Sequence, residues 1–91
     1  MTALADSLAT RHPLIQAPMA GVQGSALALA VSGAGGLGSL PCAMLGADAL
    51  RAELGALKAS GLPYNVNYFS HTPPAPDAAR EAAWSAALKP Y

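Results

Sequence analysis

Apolar residues along this chain change period repeatedly, from short continuous runs to helical spacing and back. His12-Pro13-Leu14-Ile15-Gln16-Ala17 is a short run ended by Pro18 and reads as a buried strand. Ser25 can cap a helix through Ala26–Val31, which Gly33, Gly35 and Gly36 end. Leu37-Gly38-Ser39-Leu40 reads as a second strand stopped by Pro41. From about Ala47 to Ser60, Leu50, Leu54 and Leu57 line one helical face, with Asp48 in the first turn and Lys58 in the last. Gly61 ends that helix, and Tyr64–Phe69 follows as a third strand rich in β-formers. After Pro73, Pro74 and Pro76 comes a last helix, Asp77–Leu88. Strand and helix alternate three times, which predicts an α/β fold of three βα units with parallel strands and right-handed crossovers.

Such a series belongs either to an open doubly wound sheet or to a barrel. Three units complete neither comfortably, because a parallel sheet needs both faces covered and its edges protected. The expectation is therefore an incomplete unit, residues 1–91 being the N-terminal portion of a larger domain.

Composition narrows the partners. Of 91 residues, 53% are hydrophobic and 11% charged, and the formal net charge is +0. The five basic residues are scattered, so neither nucleic acid nor an anionic membrane is expected as a partner. No charged residue occurs between His12 and Ala47, but prolines, Gln23 and glycines break that block well short of the roughly 20 apolar residues a spanning helix needs. Asp6 and Arg11 leave no room for a signal-peptide core, so a cytoplasmic chain is expected. Cys42 is the only cysteine and is expected to be a small buried residue. One Cys, two distant His and scattered carboxylates have no metal-ligand spacing, and no nucleophile–base set is visible.

Ligands in parallel α/β folds bind at the carboxyl ends of the strands. The first such loop holds Pro18, Met19, Ala20, Gly21 and Val22, where small residues let a flat ligand approach the main chain. A tight turn without a ligand is the other reading. The third loop follows Asn65 and Asn67, two amides on one strand face. They meet either a polar ligand or neighbouring backbone. His71 lies just beyond, as a proton-transfer group or a loop stabiliser, and His12 lies at the opposite end of its strand. Gly33-Ala34-Gly35-Gly36-Leu37-Gly38 matches G-x-G-x-x-G but closes a helix and enters a strand, the reverse of a dinucleotide fingerprint.

The blocks His12–Val22, Val31–Leu40 and Asn65–Phe69 together resemble the opening of the nitronate monooxygenases, and His71 with the prolines after it resembles class I members. The resemblance implies a TIM (β/α)8 barrel holding FMN. It implies that Pro18, Met19, Ala20 and Gly21 line the flavin ring by backbone contact and that Asn67 hydrogen-bonds it. The implied reaction is FMN-dependent oxidation of alkyl nitronates by O2 to a carbonyl compound and nitrite. The family's catalytic histidine and FMN phosphate loop lie downstream of the matching blocks, so no catalytic residue is assigned here. The chain alone is expected neither to bind FMN tightly nor to turn over. Related FMN barrels, NAD(P)H-dependent quinone reductases or enoyl reductases, share similar opening motifs, and a non-catalytic small α/β module is the remaining alternative.

Overall fold

A computed structural model describes residues 2–91. Its elements are α1 (Ala3–Leu8), α2 (Ser25–Gly33), β1 (Gly38–Pro41), α3 (Ala47–Ser60), β2 (Tyr64–Asn67) and α4 (Ala78–Leu88). β1 and β2 pair in parallel, with Gly38 opposite Tyr64 and Pro41 opposite Asn67. The architecture is mixed α/β with a small parallel sheet.

The expected first strand is reduced to a single parallel bridge between Ile15 and Leu37. The Leu37 N–H donates to the Leu14 carbonyl and the Gln16 N–H to the Leu37 carbonyl, both at 2.9 Å. Pro18, two residues beyond Gln16, has no N–H for the rung to the Ser39 carbonyl, so the ladder cannot continue through it. This corrects the expectation of three full strands.

α3 keeps the limits its leucine spacing predicted, and Gly61 ends it at φ 69. Leu57 is buried with Ala28 of α2, Leu40 of β1 and Cys42, and Leu29, Leu50 and Leu54 pack against this cluster. Cys42 is thus a core residue, as its composition suggested. α2 lies so close to β1 that Gly38 faces the Ala28 carbonyl directly. Ser32 of α2 ties the strand entries together: its hydroxyl donates to the Pro63 carbonyl at 2.7 Å and accepts from the Gly38 N–H at 2.9 Å.

Three local features differ from the sequence reading. Gly24, not Ser25, is the α2 N-cap, and it offers no side chain. The helix end is satisfied from outside, by Glu53 of α3, whose Oε2 accepts from the Ser25 N–H at 2.7 Å. Upstream of the first expected element, Thr2 caps the short α1 by accepting from the Ala5 N–H at 3.2 Å.

The third difference is α4. It forms where expected, with Asp77 as its N-cap, but buries none of its residues. Trp84 and Leu88 are 64% and 59% exposed, so the last βα unit has its helix without its packing. The radius of gyration, 17.9 Å, exceeds the roughly 12 Å of a compact chain this long, as an undocked C-terminal segment requires.

Candidate functional site at the carboxyl edge of the sheet

Parallel pairing sends the segments after Ile15, Pro41 and Asn67 out at the same edge of the sheet. The two loops singled out in the sequence therefore leave from one rim. Antiparallel pairing would have separated them.

At this rim the interrupted ladder is completed by side chains. In a regular parallel ladder the next rungs would join the Ser39 N–H to the Gln16 carbonyl, and the nitrogen of residue 18 to the Ser39 carbonyl. Instead the Ser39 N–H donates to Gln16 Oε1 at 3.1 Å, and Gln23 Nε2 donates to the Ser39 carbonyl at 3.0 Å. The two glutamines also join each other, Gln16 Nε2 donating to Gln23 Oε1 at 2.6 Å. From the other side Asn65 Nδ2 donates to Ser39 Oγ at 3.1 Å. Ser39 is completely buried with its N–H, carbonyl and hydroxyl all bonded. Fully satisfied buried polar groups of this kind stiffen the backbone that carries them.

Between the glutamines the chain makes a tight turn. The Val22 N–H donates to the Met19 carbonyl at 3.4 Å, and Gly21 has φ +83, the value required of the third residue in a type II turn. Pro18 is half-buried, whereas Met19, Ala20 and Gly21 are exposed, and a Cβ on Gly21 would meet nothing within 4 Å. The turn therefore presents main chain at an open surface. A flat heterocycle can rest against such a surface and bond its N–H and carbonyl groups.

Asn67 ends β2 half-buried, and its carbonyl accepts from the Cys42 N–H at 2.9 Å. The two asparagines share a face, as their spacing required, but divide the work. Asn65 is committed to Ser39, while Asn67 stands at the rim. His71 is exposed, with its ring 5.7 Å from that of Phe69. His12 is at the far edge, its N–H bonded to the Gly35 carbonyl. The G-x-G-x-x-G glycines run from the end of α2 into β1, the context that argues against a dinucleotide site.

An anion has no free seat at this rim. A helix N-terminus following a parallel strand is a common phosphate site, and α2 begins directly after the turn. That position already holds the Glu53 carboxylate. The Ser25 hydroxyl and then its backbone N–H hold the Glu53 carboxyl below its usual value, so it stays ionised in neutral solution. These residues thus fit the ring of a flat cofactor, and α2 does not provide for its phosphate. Among the described residues no cluster of three or more His, Cys, Asp or Glu could hold a metal, and no helix is long and apolar enough to cross a membrane.

The sequence pattern singles out the turn and Asn67, whereas the bonds that join Gln16, Gln23 and Ser39 emerge only from the strand pairing. A detectable signal exists: two glutamines flank the Pro18–Gly21 segment, each two residues away from it.

The chain is similar to a nitronate monooxygenase of Paraburkholderia phytofirmans, 46% identical over 90 residues, which are 98% of this chain and 25% of that protein. It is also similar to a nitronate monooxygenase of Pseudomonas aeruginosa, 48% identical over 84 residues, 91% of this chain and 24% of that protein. The chain thus spans about a quarter of the length of these curated relatives. The family profile described as nitronate monooxygenase matches residues 1–89, and the chain belongs to the nitronate monooxygenase family.

Proposed function

We propose that this chain supplies one wall of the cofactor site in an FMN-dependent (β/α)8-barrel enzyme. That enzyme oxidises alkyl nitronates with O2 to a carbonyl compound and nitrite. The observation that carries the reading is the rim itself: the Pro18–Gly21 segment, exposed from Met19 on, and Asn67 leave the same edge of one parallel sheet. Family membership supplies the reaction class.

When bound, FMN supplies the electron chemistry, and the protein contributes binding and orientation. In this reading Pro18, Met19, Ala20 and Gly21 bring backbone N–H and carbonyl groups to the ring without side-chain bulk. Asn67 offers an amide donor and an acceptor to the ring's polar edge. The buried Ser39 cluster beneath them keeps the wall from yielding. The α2 N-terminus, already held by Glu53, is not the phosphate site in this reading. In barrels the phosphate site is usually built from the loops after strands 7 and 8.

The test is a fusion in which this chain replaces the matching segment of the Pseudomonas aeruginosa relative. The purified fusion should retain flavin and release nitrite from an alkyl nitronate with uptake of O2. A folded fusion that retains no flavin and forms no nitrite would overturn the proposal.

A further inference from the structure

We propose that Gln16 and Gln23 are positioning residues that clasp the Pro18–Gly21 turn onto β1 and so set where its main chain meets the ring. This inference rests on the reading of the turn as a cofactor wall. The clasp itself is geometric. Gln16 and Gln23 stand at the two feet of the turn, and the 2.6 Å bond between their amides closes its base. Each amide then reaches the same buried residue: Gln16 Oε1 accepts from the Ser39 N–H and Gln23 Nε2 donates to the Ser39 carbonyl. Within the turn the bond from Val22 to Met19 is long, 3.4 Å, and the residues are exposed. A turn so weakly held from inside takes its position from its feet.

Proline makes the Gln23 half of the arrangement necessary. Because residue 18 cannot donate, the first strand cannot bond the Ser39 carbonyl, and Gln23 Nε2 does so instead. Without the glutamines, Ser39 would bury an N–H and a carbonyl with no partner, at a substantial cost. The side-chain bridges leave the turn free of the extended strand conformation while fixing it to the sheet. The hydrophobic cluster of Ala28, Leu40, Cys42 and Leu57 does not include either glutamine, so the clasp can be opened without emptying the core.

Chemistry at the two amides separates their duties. Gln23→Glu is isosteric but faces the Ser39 carbonyl with an acceptor and loses the donor. Gln16→Glu keeps the acceptor for the Ser39 N–H and loses the donor to Gln23. Both variants preserve volume, so a loss of packing does not enter.

The experiment has one arm without flavin and one with it. In the first, amide hydrogen exchange is followed in the 15N-labelled 91-residue chain and in the fusion for wild type, Gln16→Glu, Gln23→Glu and Gln23→Ala. The Val22 and Ser39 amides should exchange about fivefold faster or more in the Gln23 variants, because losing the Gln23 bond to the Ser39 carbonyl loosens the base on which both amides sit, while Leu57 in α3 is unchanged. Unchanged exchange at Val22 and Ser39 in both samples would overturn the clasp. In the second arm the fusion's FMN dissociation constant and the position of its visible flavin band are measured beside its thermal midpoint. Weaker FMN and a displaced band in Gln23→Glu, at a midpoint near wild type, support positioning. Faster exchange with FMN affinity and band unchanged would leave the clasp standing and overturn the turn as a ring contact. A wild-type fusion without flavin would instead sink the functional reading alone.

Discussion

The carbonyl group of Ala28 occupies the space that a side chain on Gly38 would need. A Cβ at Gly38 would overlap that carbonyl oxygen and lie 2.6 Å from its carbon, and neither belongs to a flexible side chain. α2 and β1 are in contact through backbone at this point, and the depth of that contact brings Ala28 and Leu40 into one cluster. Gly38→Ala should therefore destabilise the chain by about 1–3 kcal/mol, the usual cost of overpacking. Gly55→Ala, in the interior of α3 with nothing within 4 Å of its Cβ, should instead stabilise by about 0.5–1 kcal/mol. Urea unfolding of both variants checks the pair, and equal effects would contradict the close approach.

Glu53 makes acid sensitivity specific to one contact. Its carboxyl pKa is lowered from 4.5 by hydrogen bonds from Ser25. A depressed folded-state pKa means that the stabilisation is complete above the unfolded value and is lost as pH falls through the folded value. Glu53→Gln should thus flatten the stability-versus-pH curve below about pH 4.5, read as the denaturant midpoint across that range. At neutral pH the same substitution should cost about 0.5–1 kcal/mol, since a neutral acceptor serves a helix N-terminus less well than an anion.

Leu57 is 1% exposed at the centre of the core, and Leu57→Ala should cost about 2–5 kcal/mol. Trp84→Ala should cost much less, because α4 buries nothing. Thermal melts of the two variants would rank them, and the reverse order would mean that α4 docks on the sheet in solution.

The two asparagines should separate by readout. In the fusion, Asn67→Ala is expected to weaken FMN about tenfold or more with little change in melting temperature, roughly the worth of one polar contact. Asn65→Ala removes the partner of the Ser39 hydroxyl and should lower the melting temperature first. Titration calorimetry with FMN, paired with melts, distinguishes them.

Gly21→Ala tests the turn directly. At φ +83 an alanine is strained by about 1–2 kcal/mol. Since its Cβ would meet nothing, any larger loss of FMN affinity than of stability reflects altered main chain at the ring. Affinity unchanged in a folded Gly21→Ala fusion would remove this turn from the cofactor site.

Legibility in the sequence followed the range of the forces involved. α3 was readable to its ends because Leu50, Leu54, Leu57, Asp48, Lys58 and Gly61 all act within a turn or two of one another. The α2 cap was not, since its acceptor, Glu53, is 28 residues away and comes from another helix. The first strand looked complete because its apolar run is local. The rung it lacks becomes evident only when Pro18 is set beside Ser39. α4 was recognisable as a helix from Asp77 onward, but burial depends on a partner surface that spacing along one helix does not describe. At the site, period two put Asn65 and Asn67 on one face, and pairing with β1 then decided which of them is occupied. Gln16 and Gln23 had no role until that pairing existed.

The missing N–H at Pro18 also makes the rim a staircase. The first strand drops away from its neighbour at Ile15, while β1 and β2 stay paired through Pro41 and Asn67. A strand advances about 6–7 Å per two residues, so the depth of that step is metered by where the imino acid sits. Shifting it two places along the chain would raise or lower the tread by one such increment. The height of that step is thereby tied to a residue that lies outside the buried cluster.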